Sequence, residues 1–148
     1  MENRQAGKER NMDRKDKAVA LHNQGFNCAQ SVLLAFADDI DMDREQAFRI
    51  SEGFGFGMGF GVSTCGALSG AMMLAGLANS DGNMEQPGSK RSTYQLDKQM
   101  HEMFVETAGS YICRELKGKG TGSPLYSCED CIRLGVEVAE KALADKLG

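Results

Sequence analysis

Cysteines are the residues of this chain most able to do chemistry. The chain has 148 residues and five cysteines, of which four stand where a helix is predicted to begin. Cys28 follows a turn at 25–27, Cys65 closes a glycine-rich run, and Cys128 and Cys131 precede a periodic helical pattern. A helix N-terminus carries partial positive charge and free N–H groups, which favour the thiolate over the thiol. Thiolates serve both redox exchange and metal coordination, so the sequence predicts one of these two chemistries.

The cysteines differ in how strongly the sequence favours a thiolate. Cys65 has the strongest case, because no carboxylate lies within ten positions of it. Cys113 lies in a short stretch between two helical patterns. Cys128-x-x-Cys131 has the spacing of a dithiol redox centre and equally of half a zinc or iron–sulfur site. Cys131 follows two acidic residues that oppose thiolate formation, and we interpret it as core filling, since free cysteine is among the most buried residues.

Other patterns that could mark a site have structural interpretations. His22 and His101 have no useful spacing to a cysteine, so each is interpreted as a surface or satisfied core histidine. The glycine run at 53–61 lacks the Lys-Ser/Thr of a phosphate-binding loop. We interpret that run as a loop of close backbone contact around Cys65.

Composition narrows the class of partner. Lys plus Arg is 17 and Asp plus Glu is 21, so the net charge of −4 argues against nucleic acid as a partner. The charged N-terminal stretch predicts no secretory signal, which favours the cytoplasm, where structural disulfides are rare. Residues 53–80 carry no charge, but their helical part is roughly 20 Å long and the hydrocarbon core ~30 Å. We therefore expect no membrane insertion.

Helical periodicity and capping residues predict an all-α fold. The expected architecture is a single-domain bundle of about six helices over 13–148, with a glycine-rich loop before the central helix. Residues 1–12 are predicted to form a flexible N-terminal extension. Ser63 or Thr64 is expected to cap the central helix. The predicted helices cover 13–23, 28–37, 43–53, 65–78, 90–108 and 128–147.

Gly66 and Gly70 form a small-residue face on the central helix. Such a face lets another helix, or a second copy of the chain, pack at short distance. The uncharged segment is hard to bury within one chain of this size, so we expect a homodimer, the commonest closed symmetry. Gly66 and Gly70 are also the predicted cofactor-binding positions, because glycine lets backbone N–H groups approach a sulfur or cluster.

Four motifs in order resemble the C_GCAxxG_C_C family of redox-active proteins. The resemblance covers the chain from the first helix to the C-terminus and implies that Cys28, Cys65, Cys113 and Cys128 are the family's four cysteines. Cys131 falls where the family has an apolar residue. A similar domain accompanies an iron–sulfur centre in split-Soret cytochromes. The motifs are Gly25-Phe26-Asn27-Cys28-Ala29-Gln30-Ser31, Cys65-Gly66-Ala67-Leu68-Ser69-Gly70-Ala71, Cys113-Arg114-Glu115-Leu116 and Cys128 before a terminal helix.

These observations predict a redox protein whose Cys28, Cys65, Cys113 and Cys128 converge on one site. The first hypothesis is an iron–sulfur or other metal-thiolate centre for electron transfer or sensing, with those four thiolates as ligands. The alternative is metal-free thiol–disulfide chemistry without a cofactor. A third hypothesis is a non-catalytic interaction module with inert, buried cysteines. A redox partner protein is expected in the first two cases.

Overall fold

The computed structural model describes residues 12–120 and 122–147, which form seven α-helices and no strand. The predicted all-α class is confirmed. The prediction of a flexible extension over 1–12 falls, except for Met12, outside the described residues. The helices are α1 (Arg14–Asn23), α2 (Cys28–Leu34), α3 (Arg44–Glu52), α4 (Gly66–Asn79), α5 (Lys90–Ala108), α6 (Cys113–Leu116) and α7 (Cys128–Ala142).

Short-range capping explains where several helices begin. Asn27 caps α2 in a capping box: its side chain accepts from the Gln30 N–H, and the Gln30 side chain accepts from the Asn27 N–H. The Asp43 side chain accepts from the N–H of Gln46 at the start of α3. Ser127 caps α7 in the same way. Because each cap acts within three residues of its helix, these starts follow from the sequence alone.

Three predicted helix boundaries were wrong. Helix α2 ends at Leu34 and not at 37. The N-cap of α4 is Cys65, whereas Ser63 or Thr64 was expected to cap this helix. Helix α7 ends at Ala142 and not at 147, because Leu143 leaves the helical conformation with φ −110° and ψ 18°. The Leu143 side chain is fully buried, so the turn that follows keeps it in the core.

Helix α4 is the centre of the bundle and packs against α2, α5 and α7. Its approach to α2 depends on Gly70, where a Cβ atom would lie 2.8 Å from the Ala29 carbonyl oxygen. The small-residue face is therefore covered by another helix of the same chain. Any homodimer must use a different surface, and the dimer itself stays a prediction. Within the described part of the chain, no helix is long and apolar enough to cross a membrane.

Salt bridges hold α1 against α7. Arg14 bonds both Asp39 and Glu140, at 2.7 and 3.0 Å. Arg133 bonds Asp16 at 2.8 Å. Partly exposed pairs of this kind contribute little to stability individually, about 0–1 kcal/mol. Their use here is to set the position of α1, whose last turn carries His22.

Candidate functional site

All five cysteines line a single cavity of about 160 Å³. They come from four helix starts, the N-termini of α2, α4, α6 and α7. The four cysteines expected to converge do so, and Cys131 joins them. None forms a disulfide. Cys65, Cys113 and Cys131 are buried, while Cys28 and Cys128 are partly exposed.

Close contact between α2 and α4 brings Cys28 beside Cys65. A Cβ atom on Gly66 would lie 3.2 Å from the Cys28 Cβ and 3.1 Å from the Gly55 Cα. The absence of a side chain at 66 therefore lets the start of α4 touch the start of α2. It also lets the glycine loop pack on both, as predicted.

A short backbone bridge places Cys113 beside Cys65. Thr64 and Ile112 form an isolated antiparallel bridge. The Cys65 N–H donates to the Tyr111 carbonyl at 2.7 Å, and the Cys113 N–H donates to the Ser63 carbonyl at 2.9 Å. The two cysteines thus lie on neighbouring strand-like segments, each just before a helix.

The glycine loop closes over Cys113. Gly57 has φ +53°, in the left-handed region, and a Cβ there would lie 2.6 Å from the Cys113 Cβ. Any larger residue at 57 would displace one of the two segments, so glycine is required by both conformation and space. Three non-helical residues, 58–60, complete this turn.

Cys128 and Cys131 both face the cavity because they are three positions apart on α7. Residues at i and i+3 lie on the same side of a helix. The interpretation of Cys131 as core filling was therefore incomplete: it is buried, but buried among the other thiols. The helical spacing itself was the signal that could have found it.

The Cys28 thiol donates a hydrogen bond to the sulfur of Cys128. This bond is the main reason that the pKa of Cys128 falls to about 6, and the charges of Lys117 and His22 lower it further. The same bond and burial raise the pKa of Cys28. Because the pKa of Cys128 is lowered and that of Cys28 is raised, Cys128 is the thiolate of this pair.

The second pair is Cys65 with Cys131. The Cys131 thiol donates to Cys65, which lowers the pKa of Cys65 against the opposing effect of burial. Cys65 makes no capping bond of standard geometry, yet the N–H groups of Ala67 and Leu68 lie close enough to lower its pKa as well. The pKa of Cys65 is thus lowered mainly by the hydrogen bond from Cys131 and, to a smaller extent, by the N–H groups at the helix start, which was the predicted cause. The pKa of Cys131 is raised by the same bond and by burial.

Cys113 belongs to neither pair. Burial raises its pKa, and the nearby charge of Lys117 partly offsets this. Cys113 is therefore a neutral thiol on the cavity wall, beside two hydrogen-bonded cysteine pairs.

Sequence reasoning missed three titratable residues of the cavity, which are His22, Lys117 and Tyr126. His22 lines it from α1, with Nδ1 3.0 Å from the Phe26 carbonyl oxygen; because a carbonyl only accepts, Nδ1 carries the hydrogen. Lys117 also lines it, four positions after Cys113, a helical spacing that could have suggested the contact. No local signal connects His22 with cysteines on other helices.

The two predicted cofactor-binding glycines separate in the structure. Gly66 lines the cavity, whereas Gly70 lies one turn further along α4, against Ala29. Gly70 acts there as a helix-packing residue.

The spacing of the donors bears on metal binding. Thiols are suitable ligands for zinc and for iron–sulfur clusters. Among residues 12–120 and 122–147, however, no three His, Cys, Asp or Glu side chains are grouped so as to hold one metal ion. The thiols are instead arranged two by two, so a single bound ion does not fit this arrangement.

A bundle that gathers thiols and thiolates in one cavity defines a redox-active class of all-α protein. The chain belongs to the C_GCAxxG_C_C family, whose model matches residues 26–143 and is described as "Putative redox-active protein (C_GCAxxG_C_C)". The resemblance carried by the four cysteine motifs is thereby confirmed. No curated protein and no solved structure matches the chain significantly.

Proposed function

We propose that the protein is a dithiol–disulfide redox protein that works through two thiol pairs, Cys28 with Cys128 and Cys65 with Cys131. The observation that carries the proposal is the pairing itself: in each pair the two sulfurs are in hydrogen-bond contact, which lowers the pKa of one thiol and raises the pKa of the other. One member can attack a disulfide and the other can resolve the product, which is what thiol–disulfide exchange requires.

The first pair can reduce a substrate disulfide in two steps. The Cys128 thiolate attacks a substrate disulfide, forming a mixed disulfide and releasing one substrate thiolate. Cys28 transfers its proton to that thiolate and attacks the Cys128 sulfur, releasing the second substrate thiolate. The protein loses two electrons and the substrate disulfide gains them. In the reverse direction the protein disulfide is the oxidant.

The second pair, Cys65 with Cys131, is suited to receive a disulfide from the first pair. Cys65 and Cys131 are both buried, so a large substrate reaches them less easily than it reaches Cys128. All four sulfurs line one cavity, so disulfide exchange can pass oxidation from the outer pair to the inner one. The protein would then store two disulfides.

The test is disulfide mapping by mass spectrometry after mild oxidation of the reduced protein. We expect two disulfides, Cys28–Cys128 and Cys65–Cys131, with Cys113 left as a free thiol. The Cys113→Ala variant is the matched control and should give the same two disulfides. A disulfide between Cys128 and Cys131, or the absence of any reactive thiol as expected of an inert interaction module, would contradict the proposal.

An iron–sulfur centre is the second candidate function, because five thiols line one cavity beside the cation Lys117. The donors fit such a group in type and number, and a cluster, unlike a single ion, does not need its ligands around one point. Cys28, Cys65, Cys113 and Cys128 would hold it, and it would supply one-electron transfer. Anaerobic expression followed by absorbance, iron and sulfide analysis decides between the two functions.

We place this activity in the cytoplasm with a redox partner protein. The support is that a cluster of thiols without structural disulfides is typical of catalytic or redox-sensing cysteines in cytosolic proteins. Trapping with the Cys28→Ala variant tests the partner, since a mixed disulfide at Cys128 can no longer be resolved by Cys28. Recovery of no disulfide-linked protein from the cytoplasm would count against the partner.

A further inference from the structure

The surface around the cysteine cavity is cationic, although the whole chain has a net charge of −4. Lys117 lines the cavity itself. A neighbouring groove is lined by Arg114 and Lys119, together with Phe60 and Val62. Among the described residues, no carboxylate lines either the cavity or the groove. The local charge is thus opposite in sign to that of the protein.

The ring of Phe56 forms the wall between the cavity and the groove. Phe56 lines the cavity, and its Cζ lies 3.2 Å from the position of a Cβ on Gly61, which lines the groove. The ammonium groups of Lys117 and Lys119 lie 4.6 and 5.3 Å from the centre of this ring. The two spaces are therefore separated by little more than one aromatic ring.

The groove combines charge with exposed apolar surface. Phe60 is 65% exposed and Val62 45% exposed. Within the part of the chain that the structure describes, neither Arg114 nor Lys119 forms a salt bridge with a carboxylate. Cations without a partner carboxylate beside apolar side chains suit a small organic anion: the guanidinium and ammonium bind the carboxylate while Phe60 and Val62 contact its carbon chain.

We propose that the groove and the cavity together bind a small disulfide that carries a carboxylate. The carboxylate lies between Arg114 and Lys119, and the disulfide reaches past Phe56 to the Cys128 sulfur. This inference rests on the proposed dithiol function and names its substrate class. Attack by Cys128 releases one carboxylate-bearing thiolate, which takes the proton of Cys28, and attack by Cys28 on Cys128 releases the second.

The test uses three small disulfides that differ only in their end groups: dithiodipropionate with carboxylates, hydroxyethyl disulfide without charge, and cystamine with ammonium groups. The rate of protein thiol oxidation is measured for each at low salt. The variant is Arg114→Gln with Lys119→Gln, and the matched control is Lys90→Gln with Lys98→Gln. Both variants lose two positive charges, but neither Lys90 nor Lys98 lines the cavity or the groove.

For each protein, the rate with dithiodipropionate is divided by the rate with hydroxyethyl disulfide. The Arg114/Lys119 variant should lower this ratio about tenfold. It should raise the corresponding ratio of the cystamine rate to the hydroxyethyl disulfide rate. Added salt should reduce the difference between the variant and the unaltered protein in both ratios. The Lys90/Lys98 control should leave both ratios at their original values. An equal effect of both variants, or no effect of either, would overturn the carboxylate site while the dithiol function stands. Failure of all three disulfides to oxidise Cys28 and Cys128 would overturn the dithiol function itself.

Discussion

The Cys131 thiol donates a hydrogen bond to the Cys65 sulfur where α7 crosses α4. This bond is the largest cause of the lowered pKa of Cys65. It changes what we expect of Cys131, which the sequence alone assigns to the core.

We predict that Cys131→Ala raises the pKa of Cys65 and slows its alkylation several-fold at neutral pH. Loss of the thiol donor leaves only the N–H groups of Ala67 and Leu68 to favour the thiolate. Cys131→Ser retains a donor and should restore part of the rate. The measurement is the alkylation rate of Cys65 against pH, read by mass spectrometry. Equal rates in all three proteins would mean that the bond has no effect.

The pH dependence of Cys128 alkylation should reflect the low pKa of this thiol. The alkylation rate is expected to rise through a midpoint near pH 6 and to be constant at neutral pH, because the reactive thiolate forms above the pKa. Cys28→Ala removes the main donor and should move the midpoint up by about 1–2 pH units, as expected for one hydrogen bond to a charged group. Lys117→Gln should give a smaller rise. A midpoint near pH 8.5 in the unaltered protein would contradict this.

The close packing of α7 against α4 at Gly135 should make the stability of the protein sensitive to any side chain at this position. A Cβ there would lie 2.7 Å from the Ala67 carbonyl oxygen, a backbone atom that cannot move aside cheaply. Gly135→Ala should lower the free energy of unfolding by about 1–3 kcal/mol, as overpacking does. The control is Gly76→Ala, in a helix with nothing within 4 Å of the new methyl group. That change should stabilise by about 0.5–1 kcal/mol. Urea unfolding measures both, and a loss at Gly76 as large as at Gly135 would show that space is not the cause.

The cap at Asn27 should contribute more stability than the cap at Asp43. Both side chains accept from a helix N–H, but Asn27 also donates to the Glu52 carbonyl at 2.8 Å and so joins α2 to the end of α3. We expect Asn27→Ala to cost about 1–2 kcal/mol and Asp43→Ala about 0.5–1 kcal/mol in urea unfolding. Cys28 follows Asn27 directly, so only the first variant should change Cys28 alkylation. The reverse order of the two costs would refute this role.

The homodimer can be measured directly. The exposed apolar residues Ile50 and Leu77, which line a common pocket away from the cationic groove, favour association. The mass of one chain is 16.0 kDa, and light scattering at micromolar concentration should report twice that mass. We expect Gly70→Ala to leave the dimer contact itself unaffected, because α2 of the same chain covers Gly70. A monomer mass would reject the expected dimer.

Much of the fold could be predicted from the sequence because its signals are local. Asn27 and Asp43 mark helix starts through bonds that span three residues, and the helix over 90–108 follows from its own periodicity. The order of the four cysteine motifs was enough to identify the family. The same local rule would have placed Cys131 beside Cys128, had the three-residue spacing been given more weight than the acidic neighbours.

The pairing of the thiols could be decided only by the tertiary structure. Cys28 meets Cys128 across most of the chain length, and His22 reaches the cavity because the buried face of α1, with Ala18 and Leu21, packs into the core. Nothing in the local sequence specifies which helix starts will meet. That depends on how closely α4 approaches α2 and α7, and thus on the space that Gly66, Gly70 and Gly135 leave for backbone atoms of other segments. Helix formation is a property of neighbours in sequence, whereas the environment that sets each thiol pKa is built by neighbours in space.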